Sequence, residues 1–473
     1  MVLVGSGPAT PGADVAGSAR RPVSGGPIDV RSPTVNGVAF SRPLCIDLRA
    51  REREPFASRW RVCLDGADVT ATFHLGPLAG QWLGTISDLI VGPHQLVVTS
   101  RADGRAVYAA GFAYRTGRPI ERIRAVADAT VSRLPPESLS WDWGPGLLLY
   151  ALARLDAHDG THRYEAYLRR YFAHHLRQGV PTIDWSDHCA PGLAALELYR
   201  QTGDASYRSV GEAVARYLLQ TKPTTAGGLN HFGTSWFSWV YPTSMWVDSL
   251  MMYDVFAARW GKFAPDPNCS RFAGEQMLDF ARVLQNPHTG LWKHAWMVPW
   301  QRPVPGDEVY WLRGNGWAMA SLPEVLDVLP AASPVRGPLT MIYRRTAEGL
   351  LPYQGPTGLW STVLNRSDRT YLETSGTALC AYGLLRGVQQ GVLDPAMGSA
   401  GERAFLGVLD RLQARPDGPS MPETSGNTMP YGLFGYSVIP QQHDTPYGLA
   451  ALILAGIAAD VPTGPSSSVP TTR

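Results

Sequence analysis

The sequence predicts a mainly α protein, an (α/α)6 toroid preceded by a small all-β immunoglobulin-like sandwich. Three observations carry that reading. Close to a dozen helical segments follow Gly117, loops rich in Gly, Pro and aromatic residues recur before alternate helices, and the stretch from Val38 to Arg115 reads as short β-rich runs instead. A loop on every second helix fits paired helices: an inner one opens from a pocket-lining loop and an outer one closes the layer.

Residues 1–36 are rich in Gly, Ser, Pro and Ala without periodicity, which predicts a disordered leader. The sandwich is expected over 38–116, with strands at 45–48, 60–64, 69–75, 95–99 and 107–114 and hairpin turns at Asp65-Gly66 and Asp103-Gly104. The barrel is expected over 120–460. Its helices are predicted at 146–155, 164–175, 191–201, 209–220, 245–260, 271–284, 316–326, 339–350, 374–388, 403–412 and 448–457. Residues 461–473, rich in Pro, Ser and Thr, predict a disordered tail.

Charged residues make up 17% of the chain and the net charge is +2, so no polyanion-binding surface and no nucleic-acid partner are expected. No apolar run reaches membrane-spanning length, and Arg20 and Arg21 are not followed by the apolar core of a signal peptide. The expectation is a cytoplasmic monomer or homodimer without a membrane partner. Five cysteines without a CxxC pair indicate neither a zinc site nor a disulfide framework; Cys45 and Cys63 could pair across two strands, though reduced core thiols are the better reading. No metal or cofactor is implied, since phosphate-binding glycine loops, zinc spacing and a Ser/His/Asp elbow are all missing from the pattern.

The chemistry concentrates in the loops. Fifteen tryptophans are present, and many, including Trp141, Trp143, Trp236, Trp239 and Trp311, lie in loops rather than on helix faces. Indole faces stack on the apolar faces of a pyranose ring, while Arg, His, Asn and carboxylates bind its polar edge. Met245-Trp246-Val247-Asp248 sets a carboxylate beside an indole, Gly290-Leu291-Trp292-Lys293-His294 and Trp311-Leu312-Arg313-Gly314-Asn315-Gly316-Trp317 follow, and Tyr371 to Gly376 comes later. Together these segments describe a sugar site. For any single tryptophan, core filling is the better reading; Asp248 alone would be a helix-capping acid, Arg313 alone an internal partner of Glu308 or Glu373, and His294 alone a satisfied core or surface histidine.

Trp246-Val247-Asp248, preceded by Gly227-Gly228-Leu229-Asn230-His231 and Tyr241-Pro242, resembles the catalytic segment of the unsaturated glucuronyl and rhamnogalacturonyl hydrolases, glycoside hydrolase families 88 and 105. Asp187 to Gly192, Gly290 to His294, Arg313 to Trp317, Tyr371 to Thr377 and Asp444 to Gly448 arrive in the family's order, from about Trp141 to Leu454, and favour family 105. The resemblance implies an enzyme that hydrates the C4–C5 double bond left on a uronate by a polysaccharide lyase. It gives Asp248 the acid and base roles and makes Asp187 the second carboxylate, with Asp184 the alternative. His294 and Arg313 are then polar partners of the substrate, Trp246, Trp311 and Trp317 stacking positions, Trp141 and Trp143 part of a subsite, and His231 a matching histidine. The chain departs from the family in a longer segment from His231 to Tyr241, which adds Trp236 and Trp239, in Leu312 before Arg313, and in having no acid after His294-Ala295-Trp296.

Asp248 reads as first-turn helical, where the helix dipole favours the ionised carboxyl by about 1 kcal/mol, whereas burial against indoles disfavours it by more, so a neutral Asp248 is expected. Glu373 reads as a structural cap of the helix at Thr374. A conventional inverting glycosidase or an acidic-sugar lyase on the same toroid, and a catalytically silent carbohydrate-binding barrel, are the competing readings.

Overall fold

The computed structural model describes residues 27–50, 56–116 and 119–461. The N-terminal region is two sheets. One runs in the order β1 (Ile28–Ser32), β3 (Leu44–Ala50), β7 (Gln81–Ile86) and β6 (Phe73–Leu75); the other runs β2 (Val38–Ala39), β9 (Ala106–Tyr114), β8 (Gly92–Ser100), β4 (Trp60–Leu64) and β5 (Ala67–Asp68). Alternate residues of both sheets, Ile46 and Leu48 from one and Val62, Leu96, Val98 and Phe112 from the other, fill one shared core. Asp65 and Gly66 both take positive φ, as a two-residue hairpin between β4 and β5 requires. Strand β1 lies inside the segment expected to be a disordered leader: Ile28 and Ser32 are buried and the strand pairs with β3. Residues 33–36 of that leader are also described, Asn36 N–H donating to the Gly111 carbonyl, whereas 1–26 and the tail beyond 461 lie outside the described residues. Strand β7 is an addition to the expected set.

Twelve long helices follow among the described residues. They are α1 (Ile120–Arg133), α2 (Trp143–Asp159), α3 (Glu165–His175), α4 (Pro191–Thr202), α5 (Ala205–Gln220), α6 (Val255–Phe263), α7 (Pro267–Leu284), α8 (Leu312–Val328), α9 (Arg336–Leu350), α10 (Thr374–Gln389), α11 (Pro395–Asp410) and α12 (Pro446–Asp460). Among them α1 is absent from the predicted set. The even-numbered helices touch in the cycle α2–α4–α6–α8–α10–α12 and back to α2, and α1, α5, α7, α9 and α11 each pack outside one of them. Composition explains the division. Inner helices such as α12 are apolar on every side and buried almost throughout, while α7 buries one stripe, Cys269, Ala273, Met277, Phe280 and Leu284, and turns its charges outward. Small residues let the inner helices approach: a Cβ on Gly146 of α2 would stand 2.5 Å from the Pro191 nitrogen of α4.

A buried polar cluster ties five inner helices together. Glu324 of α8 accepts from Tyr150 of α2 at 3.0 Å and from Arg259 of α6 at 3.0 Å, Tyr382 of α10 also donates to it, and Arg259 reaches on to Glu197 of α4. The two arginines, Arg154 and Arg259, outweigh burial and hold Glu324 down at about 2. The inner helices begin at aromatic loops, several of them capped by a side chain at the opening turn: Asp142 for α2, Glu373 for α10 and Thr445 for α12. Among the described residues no helix is long and apolar enough to cross a membrane.

Candidate active site

The expected helix over 245–260 is instead a strand, a turn and a helix. Ser244–Trp246 forms β10 and pairs antiparallel with β11 (Ala295–Met297), so the sheet, not a helix, takes up the backbone: His231 N–H donates to Ser244 and Val247 N–H to His294, at 2.8 and 2.9 Å. A widened π turn, Leu250–Asp254, then leads into α6. Asp248 therefore precedes the helix rather than lying in its first turn, and its carbonyl accepts from Met251 and Met252. The same register sets His294 beside it.

His294 Nε2 lies 3.2 Å from Asp248 Oδ2, off line for a hydrogen bond, so both buried atoms lack a hydrogen-bond partner. The other imidazole nitrogen is 2.9 Å from the Tyr436 hydroxyl. The His294 ring stacks on Trp311 at 4.2 Å and meets Trp246 edge-on. On the far face of the site His231 lies flat on Trp246, at 4.3 Å and 2°. Its Nδ1 is 3.2 Å from Ser249 Oγ and its Nε2 3.8 Å from Asp187 Oδ1.

The two carboxyls titrate in opposite directions. Burial pushes Asp187 well above the ordinary range, and the charges of Asp142 and Asp248 push the same way. Burial acts on Asp248 too, but His294, then His231 and Arg313, outweigh it and hold that carboxyl below its ordinary value. The expectation of a neutral Asp248 is thus corrected for the free site: aromatic burial is present, and a histidine partner, which the sequence does not place, reverses its effect. Burial lowers His231 to about 4, so that ring is charged, and bears on Asp248, only in the acid range. Asp184 is separate from this cluster; it pairs with His188 at 2.8 Å and is part-exposed.

Arg313, in the first turn of α8, is buried and pairs with neither Glu308 nor Glu373. Its Nη1 donates to the Ser425 carbonyl at 2.7 Å and its Nη2 to the Gly426 carbonyl at 2.8 Å and to Thr428, while Nε has no partner. The guanidinium lies over the rings of Trp311 and Tyr447. Glu373 caps α10, accepting from Ser375, Gly376 and Ser425 N–H groups, as the sequence suggests. Trp143 stacks on Tyr447 at 4.5 Å and meets Trp317 edge-on. The buried indole N–H groups of Trp311 and Trp317 have no partner. Trp141 sits apart: its N–H donates to the His188 carbonyl and its ring packs among Tyr171, Phe172 and His175 in the core.

The structure therefore gathers Asp248, Asp187, His231, Trp246, His294, Trp311 and Arg313, with Trp143 and Trp317 joined through Tyr447. Sequence reasoning leaves out Tyr436, Ser249 and Asp142. Tyr436 carries a usable signal, since Tyr431-Gly432-Leu433-Phe434-Gly435-Tyr436 is another loop of glycines and aromatics. The longer segment after His231 holds a single-turn helix, Phe237–Val240, with Trp239 87% and Trp236 63% exposed. Among the described residues no three His, Cys, Asp or Glu side chains converge as a metal site needs.

Residues 121–460 match the profile of Glycosyl Hydrolase Family 88. Over 339 residues, 71% of the chain and 95% of the relative, the chain is 26% identical to the unsaturated rhamnogalacturonyl hydrolase YesR of Bacillus subtilis. A crystal structure described as a possible member of the GH105 family, from Salmonella enterica serovar Paratyphi A, superposes with a TM-score of 0.64 at 25% identity, covering 72% of this chain and 93% of that one. The unsaturated glucuronyl hydrolase of Bacillus sp. GL1 shares the fold, with a TM-score of 0.59 at 18% identity over 72% and 95% of the two chains. Matched in sequence along most of its helical region, the chain belongs to glycosyl hydrolase family 88 and is a glycoside hydrolase.

Proposed function

We propose that this enzyme hydrates the C4–C5 double bond of an unsaturated uronyl residue at the non-reducing end of a lyase-generated oligosaccharide, of the rhamnogalacturonan or a related type. The observation that carries the reading is the buried pair of Asp248 and His294, whose facing atoms lack hydrogen-bond partners between Trp311, stacked on His294, and Trp246, edge-on to it. Polar atoms that are buried and unmatched in a pocket of indoles are suited to a ligand with hydroxyls on its edge and C–H bonds on its faces. The relatives' own activities, on unsaturated rhamnogalacturonyl and glucuronyl compounds, point to the same class.

In this reading the twelve helices form an (α/α)6 toroid with the aromatic loops at its mouth. Asp248 delivers a proton to C4, leaving positive charge shared between C5 and the ring oxygen. Water then adds at C5 and gives its proton back to the Asp248 carboxylate. The resulting hemiketal opens by breaking the bond from C5 to the ring oxygen, leaving a ketone at C5, and the hemiacetal left at C1 collapses to an aldehyde and releases the rest of the oligosaccharide as an alcohol.

Asp248 must gain a proton before the first step. The substrate brings its own carboxylate into a buried space, and that added negative charge raises the Asp248 pKa. Asp187, kept neutral by burial, donates a hydrogen bond to a ring hydroxyl. Arg313 and the unpartnered indole N–H groups of Trp311 and Trp317 favour the uronate's polar edge. Turnover in D2O tests the chemistry: hydration places one deuterium on C4 of the product, whereas a conventional glycosidase leaves the double bond and its hydrogens as they were.

A further inference from the structure

The β region lies outside the matched residues 121–460, yet charged contacts join it to Glu423, two residues before the first of the carbonyls that hold Arg313. Arg31, at the end of β1, donates from Nη1 to Glu423 Oε1 at 3.0 Å. Asp47 of β3 pairs with Arg411, and Arg411 Nη1 donates to Glu423 Oε2 at 2.8 Å. Asp47, Arg411 and Glu423 are buried or nearly so, so these contacts are little screened by solvent. Each oxygen of one carboxylate is thus held by a different guanidinium.

Glu423 is a site of backbone strain. Its φ is +59°, in the left-handed region where a residue with a side chain needs outside support. The support is visible: two arginines fix the carboxylate and the Thr374 N–H holds the carbonyl at 3.1 Å. Two residues on, the Ser425 carbonyl accepts from Arg313 Nη1, and the Gly426 carbonyl accepts from Nη2. Arg313 is thus held by carbonyls that directly follow the turn at Glu423, in a segment also fixed by the Glu373 carboxylate at Ser425 N–H and by the Tyr447 hydroxyl at the Ser425 carbonyl.

We infer that the β region is a positioning element of the active site: Arg31 and Asp47, acting through Arg411 and Glu423, hold the 423–426 strand so that its carbonyls aim Arg313 into the pocket. These residues touch no reacting atom and act only through Arg313. The inference rests on the proposed reaction for the service Arg313 performs, but the mechanical link from β1 to 423–426 stands independently of it.

Arg31 is part-exposed, so its replacement leaves both cores intact. Arg31→Met, Arg31→Lys and Thr34→Val separate positioning from docking, because Thr34 also joins the β region to the helical body, through the Leu412 carbonyl at 2.8 Å, without touching Glu423. Amide hydrogen exchange over 421–428 and steady-state kinetics on an unsaturated uronyl disaccharide are the readouts. Arg31→Met is expected to speed exchange in that segment and to lower kcat/KM roughly tenfold, mainly through KM. Arg31→Lys restores both, and Thr34→Val lowers the melting temperature while changing neither. Wild-type exchange and KM in Arg31→Met, or equal shifts in Thr34→Val, overturn the inference. If the wild type turns over no unsaturated uronide, the proposed reaction falls, and exchange over 421–428 alone decides the positioning link.

Discussion

His294 Nε2 stands 3.2 Å from Asp248 Oδ2, close enough to stabilise a charged carboxylate and too far off line to bond it. That relationship makes Asp248 ionised in the free site and leaves its oxygen open to whatever enters.

The first prediction is a pH dependence. Partnered by His294, Asp248 has its folded pKa depressed, so its protonated form is scarce above the acid range and kcat/KM falls as pH rises. In His294→Gln the charge that depresses it is gone and burial dominates. The descending limb of kcat/KM then moves to higher pH, although the maximum falls. A limb that stays in place or moves to lower pH contradicts the role given to this pair.

Asp187 has the opposite sign. Its folded pKa is raised, so stability is complete below the ordinary carboxyl value and is lost as pH rises through the folded pKa. Asp187→Asn removes that penalty. The variant is expected to melt higher than the wild type at neutral pH, with the gain vanishing near pH ~4, and to lose most of its activity. Melting curves across pH, with equal transitions for both proteins throughout, would remove the case for a buried neutral acid.

Glu324 carries a stability prediction far from the chemistry. Glu324→Ala leaves Arg259 buried beside one remaining acid and strips Tyr150 and Tyr382 of their acceptor, at a cost of about 3–5 kcal/mol. Because its folded pKa is depressed to about 2, the contribution is present above the unfolded value and fades as pH falls through the folded one. Denaturant titration at neutral and acid pH measures both, and KM at temperatures where the variant is folded should match the wild type.

Trp236 extends the aromatic run Phe237, Trp185 and Phe232 outward from Trp246, and Trp239, in the adjoining single-turn helix, is 87% exposed. Trp239→Ala is expected to raise KM several-fold for a tetrasaccharide, in line with about 1 kcal/mol for a lost ring contact, and to leave the disaccharide unaffected. Equal effects on the two lengths would argue that this loop serves the fold.

Much of this organisation was legible in local pattern. The helix starts at Pro191 and Thr374, and the Asp65-Gly66 hairpin, follow from capping, proline placement and turn chemistry that a few neighbouring residues carry, while the last helix, expected from Gly448, begins at Pro446. The helix Ile120–Arg133 has the same kind of signal, with Ile120, Ile123, Val126, Ala127 and Thr130 on one buried face, yet stands outside the predicted set. What local pattern could not supply was pairing at a distance. Met245 and Trp246, which open the expected helix 245–260, are in a strand instead, paired with 295–297. The charge of Asp248 turns on His294, and the aim of Arg313 on carbonyls more than a hundred residues away. Strand β7 was hidden because Gly84 interrupts its alternation, a glycine that makes room for the Phe73 ring.

The most direct measurement follows the ultraviolet absorbance of the conjugated enol-ether carboxylate on lyase-generated disaccharides from pectin and from glycosaminoglycans, with wild type and Asp248→Asn side by side. The account predicts that wild type bleaches at least one of them while the folded variant bleaches none, with a rate difference of at least about a thousandfold. Release of the second sugar with the absorbance unchanged, or bleaching by Asp248→Asn at the wild-type rate, would contradict it.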